Sequence, residues 1–194
     1  MPLPGQKTTT SFLEWETTLT LISKLERDRD FKFALLIACG AFTGLRISDL
    51  LSLTWADILE KEDFTLNERK TKKTRRIKVN PQLKEIAERL HIKSGQPLVN
   101  ELMFINRYGT QAIRRHYVNS KLKTIMTKYK IKVSGNVSSH MLRKTLGRRF
   151  MEKQNYSDHA LILLSEVYNH SSVSITRRYL GLRQEEIASV YDDL

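Results

Sequence analysis

A single cysteine in 194 residues excludes an intramolecular disulfide framework. No stretch approaches the roughly 20 apolar residues that a membrane-spanning helix needs. Cys39 lies in the almost wholly apolar run from Phe31 to Phe42, so it reads as a small core residue rather than a nucleophile, and a reducing cytoplasm is the expected setting. The opening segment, Met-Pro-Leu-Pro-Gly-Gln-Lys, lacks the apolar core of a secretory signal. There are five histidines and no Cys- or His-rich cluster with ligand spacing, so neither a metal nor another cofactor is expected. Acids are also scarce: 21 against 33 Lys plus Arg, a net charge of +12. That surplus favours a polyanionic partner, nucleic acid first and an anionic membrane surface second. With 40% hydrophobic residues and no repeat, low-complexity tract or linker, residues 1–194 read as one well-buried domain.

The hydrophobic pattern is mostly helical. Helices are expected at 12–26 and 31–42, the second apolar all round and therefore central. Thr43-Gly44 breaks that run, and a short helix from Ile47 to Leu53 follows. Between Ile58 and Val79 the period changes. Phe64, Leu66, Ile77 and Val79 alternate with polar residues about a charged turn, which predicts two or three antiparallel strands. Pro81 opens a helix to Leu90. Further helices are expected at 111–129, 139–153, 158–168, 172–179 and 184–191. The fold class is mainly α with a small antiparallel β-sheet.

Several basic residues and a tyrosine stand out against this background. Arg46 sits at the mouth of a helix, where free amides favour anions and a guanidinium can fork onto two phosphate oxygens. Its plain alternative is a surface ion pair with Asp49. The run Arg69–Lys78 carries seven positive charges and no acid, and by itself it is a solvated hairpin tip tracking phosphate. His140 and Arg143 are one helical turn apart and can share a side, with Ser138 or Ser139 able to cap their helix. Tyr179 follows His170 by nine residues; Tyr156, Tyr168 and Tyr191 read as ordinary packing.

The segments Thr-Gly-Leu-Arg-Ile-Ser-Asp-Leu (43–50), His-Met-Leu-Arg-Lys-Thr (140–145) and His-Ser-Ser-Val-Ser-Ile-Thr-Arg-Arg-Tyr-Leu-Gly (170–181) together resemble the catalytic domain of the tyrosine recombinases, the phage integrase family. The resemblance implies that fold, a DNA breaking-rejoining activity, and Arg46, Lys70, His140, Arg143, His170 and Tyr179 as catalytic residues. Lys70 follows from the K-T-x-K pattern of the hairpin, with Lys73 as runner-up. Asp49 becomes a group that holds Arg46 or His170 in place. Arg69, Lys72, Lys73, Arg75 and Arg76 become contacts to DNA backbone. The family commonly has Leu-Gly before the second histidine, where this chain has Tyr168-Asn169; asparagine tolerates the left-handed backbone that glycine would supply. The stretch Gln154–Asp158 is expected to be a surface insertion.

The implied chemistry is attack by Tyr179 on a phosphodiester, giving a covalent 3′-phosphotyrosine without metal or ATP. Arg46, Arg143 and His170 would hold the phosphate, His140 would take the phenolic proton, and Lys70 would protonate the departing 5′ oxygen. The implied partner is duplex DNA in a prokaryotic cytoplasm, with a monomer when free and a homotetramer on DNA. The tail 184–194, with its stripe Ile187, Val190, Tyr191 and Leu194, is expected either to pack on its own domain or to dock in trans on a neighbour. The family's usual preceding core-binding domain is not recognised, which fits either an excised catalytic domain or a naturally short recombinase. A type IB topoisomerase, a telomere resolvase and a non-catalytic DNA-binding module are the rival functions.

Overall fold

The computed structural model describes residues 10–69, 73–182 and 191–192. In chain order the elements are α1 (Trp15–Arg27), α2 (Phe31–Thr43), α3 (Ile47–Leu50), α4 (Trp55–Leu59), β1 (Asp63–Asn67), β2 (Thr74–Lys78), α5 (Pro81–Lys93), α6 (Arg115–Lys128), α7 (His140–Lys153), α8 (Asp158–Val167) and α9 (Val173–Leu180). The expected mainly helical fold with a small sheet is therefore present. Among the described residues the sheet has two strands, paired antiparallel with Phe64 opposite Ile77. The expected helix at 184–191 falls outside the described residues, save Tyr191. Among the described residues no helix is long and apolar enough to cross a membrane.

Helix α2 is the central element because nearly every residue from Phe33 to Ala41 is buried. It packs on α1, α5 and α7, and its fellows close around it to form the large core. Local signals set the ends of several helices. Asn80 accepts from the Gln82 N–H at 2.9 Å just ahead of Pro81, which starts α5. Helix α4 was not anticipated from the hydrophobic pattern. It is begun by Asp57, whose carboxylate accepts from the Thr54 N–H at 3.0 Å and the Thr54 hydroxyl at 2.9 Å. Ser139 does stand at the N-cap of α7, but its side chain makes no capping bond. Its N–H instead donates to Asn119 Oδ1 of α6 at 2.9 Å.

A second, smaller core lies beneath the C-terminal helices. Met151 of α7, Ala160, Leu161 and Leu164 of α8, Tyr168, Leu180 and Leu182 form it, with Tyr179 partly buried against it. Two cores mean a seam, and the candidate site lies along it. Gly44 ends α2 in the left-handed conformation, φ 59°, and so turns the chain toward α3 and aims its carbonyl at α7. Gly147 permits the close approach across the seam. A Cβ there would sit 2.5 Å from the Tyr168 hydroxyl oxygen and 2.6 Å from Leu180 Cδ2.

Candidate active site

The end of α2, the turn of α7 and the α8–α9 connection each deliver one side of a small polar cluster. Arg143 comes from the first turn of α7 and is only 3% exposed. Its guanidinium donates to Gly44 O and, at 2.8 Å, to Tyr168 O. Arg46 stands at the N-cap of α3, in extended backbone that throws its side chain across the seam. Its Nη2 donates to the same Tyr168 carbonyl at 3.3 Å. Two guanidiniums thus converge on one acceptor, from elements nearly a hundred residues apart in sequence.

The Tyr168-Asn169 pair builds the other side. Asn169 adopts φ 54°, the left-handed turn expected where relatives commonly carry glycine. That turn carries the chain from the end of α8 to His170, which is half-buried and bonded through Nδ1 to Thr176 Oγ1 at 2.9 Å. Tyr179 lies one turn farther along α9. Its ring centre is 5.5 Å from that of His170 and 5.7 Å from that of Tyr168, and its hydroxyl donates to His140 O at 3.2 Å. His140 itself is exposed at the start of α7. Arg46, Arg143, His170, Tyr179 and His140 are therefore brought together from four separate segments. Lys70 and Lys72 lie outside the described residues.

Electrostatics follow from this crowding. Burial pushes the Tyr179 phenol up to about 12, and the Arg143 and Arg46 charges pull in the opposite direction. Burial, with Arg143 and Arg46 adding to it, pushes the His170 imidazole down to about 4. At neutral pH the site thus holds a neutral imidazole and a protonated phenol beside two fixed cations. An anion placed between the guanidiniums would meet donors already aimed and mostly dehydrated.

Two expectations are corrected. Asp49, expected beside Arg46 or His170, is buried. Among the described contacts its Oδ1 accepts instead from the Arg69 N–H at 3.0 Å and from Ser48 Oγ at 3.3 Å. It anchors the root of the hairpin, through the Arg69 N–H, rather than an active-site cation. The carboxylate on Arg46 is Glu68, which the sequence reading did not single out; its Oε2 contacts Arg46 Nη1 and its exposure is 0%. Arg75, expected on the DNA-facing surface, turns inward. It donates to Thr43 O at 2.8 Å, and its Nη1 lies 3.9 Å from Glu68 Oε1. Alternation explains both: Phe64, Leu66 and Glu68 share the inner phase of one arm, and Arg75, Ile77 and Val79 that of the other. Arg69 and Lys73 are exposed, and Arg76 is exposed while holding Asp63 through two bonds of 2.9 and 2.6 Å.

This is the fold of tyrosine recombinase catalytic domains. The chain superposes on the XerH site-specific recombinase, bound to its difH substrate in a pre-cleavage complex, with a TM-score of 0.66 at 25% identity; the match covers 95% of this chain and 54% of that one. The catalytic domain of bacteriophage HP1 integrase shares the fold at a TM-score of 0.59 and 21% identity, over 88% of this chain and 87% of that one. The sequence matches the phage integrase family over residues 12–186, and the chain belongs to that family. Among curated relatives, a probable integrase/recombinase of Bacillus subtilis (strain 168), YoeC, is 28% identical over 171 residues, 88% of this chain and 86% of that protein. Tyrosine recombinase XerH of Campylobacter jejuni is 27% identical over 156 residues, 79% of this chain and 42% of that protein. The chain thus spans about half the length of the Xer recombinases it matches.

Proposed function

We propose that this chain carries out site-specific DNA recombination, cleaving and rejoining strands through a covalent 3′-phosphotyrosine on Tyr179. The observation that carries this reading is the convergence of Arg46 and Arg143 on the Tyr168 carbonyl, with the His170 and Tyr179 rings packed around the Tyr168 ring at 5.4 and 5.7 Å between centres. A phosphodiester entering the seam would take over guanidinium donors from that carbonyl. Its two non-bridging oxygens would then lie between Arg46, Arg143 and His170, with the Tyr179 oxygen on the open side.

The phenol bonds to phosphorus as the 5′ oxygen leaves, so the ester is exchanged without loss of a high-energy bond. A phenol pushed up to about 12 is a poor nucleophile at neutral pH, and the two arginines are the groups that pull it back. Arrival of the phosphate brings the negative charge that these cations stabilise in the pentacoordinate transition state. His140, an exposed residue whose main-chain carbonyl accepts from the Tyr179 hydroxyl, is assigned the phenolic proton. Lys70 is assigned the proton for the departing 5′ oxygen, and the reaction needs neither metal nor ATP. The partner is duplex DNA, engaged as a homotetramer assembled from monomers; the tail at 184–194 is assigned to coupling neighbours.

The test is a duplex nicked close to the cleavage site, which traps the intermediate because the short 5′ fragment diffuses away. A protein–DNA adduct that survives denaturant, forms in EDTA and passes its strand to a second duplex is the expected result. An adduct that never passes its strand on would leave a topoisomerase-like enzyme. Tight binding without an adduct would leave a DNA-binding module.

A further inference from the structure

Glu68 has no part in the reaction as written, yet it is a fully buried carboxylate among the site's cations. Its Oε2 contacts Arg46 Nη1, Asn169 Nδ2 reaches the same oxygen at 3.5 Å, and Arg75 Nη1 lies 3.9 Å from its other oxygen. The Arg46 and Arg75 side chains are only 15% and 10% exposed. Burying a guanidinium is costly unless an anion accompanies it. The effect reaches farther, because the Glu68 charge also favours the charged forms of Arg75, Arg143 and His170 against the burial that depresses all three. Without Glu68, the only described bond orienting Arg46 would be the 3.3 Å contact with Tyr168 O, too little to fix so long a side chain.

We propose that Glu68 is the positioning residue of the site: its buried carboxylate holds the Arg46 guanidinium at the Tyr168 carbonyl, so that Arg46 meets a phosphodiester already oriented. The inference rests on the reaction assigned above. It also carries an opposing consequence. An anion buried next to Arg46 repels the phosphate that Arg46 receives, so Glu68 favours the reacting geometry while weakening the initial encounter. Asn169 gains a second task, since it links the Glu68 carboxylate on the hairpin to the loop that carries His170.

Binding and cleavage should therefore separate in Glu68→Gln, which keeps the shape and removes the charge. Cleavage of the nicked duplex at saturating protein should slow by about 10²-fold, the penalty for a misplaced reacting group. The dissociation constant for an intact duplex, read by fluorescence anisotropy, should be unchanged or lower. Wild-type cleavage by a folded Glu68→Gln protein overturns the proposal. A parallel loss of rate and affinity overturns it too, because that marks a residue that only supports the fold. If Glu68→Gln does not fold, Glu68→Asp carries the same comparison, since it keeps the charge but cannot reach Arg46 in the same place. An independent arm uses the free full-length chain labelled with ¹⁵N-arginine. Rotation of the Arg46 guanidinium should be hindered in the wild type and freed in the variant. Free rotation in the wild type overturns the proposal, and this arm still decides it if no adduct ever forms and the reaction itself has been misassigned.

Discussion

Arg143 and Tyr168 hold each other by three contacts at once. The guanidinium donates to the Tyr168 carbonyl at 2.8 Å and lies 4.2 Å from the centre of the Tyr168 ring, and the Tyr168 hydroxyl donates back to the Arg143 carbonyl at 2.6 Å. One pair therefore joins the large core, on which α7 rests, to the small core beneath α8 and α9. The catalytic arginine and the tyrosine nucleophile proposed for this chain are registered to each other across that joint.

Tyr168→Phe removes only the returning bond and leaves the ring under Arg143. It should lower stability by about 1 kcal/mol, the usual worth of such a bond, with cleavage little changed. Tyr168→Ala removes the ring from the small core as well and should cost about 3–5 kcal/mol. Thermal unfolding of the two variants, beside single-turnover cleavage, checks both magnitudes. Equal effects from the two would show that the ring contributes nothing.

Stability should fall on mild acidification because of His170. The imidazole is held down to about 4 against an ordinary value of 6.5, so between those values the unfolded chain takes up a proton that the folded one refuses. The contribution is complete above about 6.5 and is lost as the pH falls toward 4. His170→Gln should flatten that part of the stability profile in denaturant titrations across the window. An unchanged slope would mean that another group is responsible.

The hairpin should divide into two kinds of arginine. Arg75→Ala loses the bond to Thr43 O and a buried neighbour of Glu68, and should destabilise by about 1–3 kcal/mol. Arg69→Ala should leave stability near wild type and reduce the slope of log affinity against log salt by about 1. With roughly 5–8 phosphates contacted, the wild-type slope should lie near −4 to −7. Anisotropy titrations over a salt series, paired with melting curves, separate the two. Reversal of the pattern would place Arg75 on the DNA and Arg69 in the fold.

Much of this architecture was legible in the sequence because its signals are local. The apolar run of α2, Pro81 after Asn80, and the left-handed Asn169 all depend on neighbours within a few residues. The helix α4 was hidden because its start depends on Asp57 bonding back to Thr54 rather than on an apolar stripe. The candidate site was legible as residue types and order, but its internal pairing was not. Asp49 is the nearest acid to Arg46 in sequence, whereas the acid that reaches it is Glu68, on another element. The alternation of Phe64, Leu66, Ile77 and Val79 already held the clue, since Glu68 and Arg75 continue the same phase. Tyr168 packs in the small core as its aromatic character implies, but its carbonyl also gathers both arginines, and backbone atoms leave no mark on a sequence.

The assignment of Lys70 can be tested through the leaving group. Lys70→Ala should cleave ordinary DNA about 10²–10⁴-fold more slowly, the range expected for a lost general acid. A 5′-bridging sulfur leaves as a thiolate that hardly needs a proton, so most of that deficit should vanish on the thio substrate. Arg46→Ala and Arg143→Ala should show no such rescue. Rescue of Lys73→Ala in place of Lys70→Ala would move the acid three residues along the hairpin.

The most direct measurement is the identity of the residue joined to DNA. Trapped adduct from the nicked duplex can be digested and the nucleotide-bearing peptide sequenced by mass spectrometry, alongside the same reaction with Tyr179→Phe. The expected result is a 3′-phosphate on Tyr179 in the wild type and no adduct from Tyr179→Phe, which should still fold and bind duplex DNA. A phosphate on Tyr168 or Tyr191, or an adduct that persists in Tyr179→Phe, would contradict the central claim.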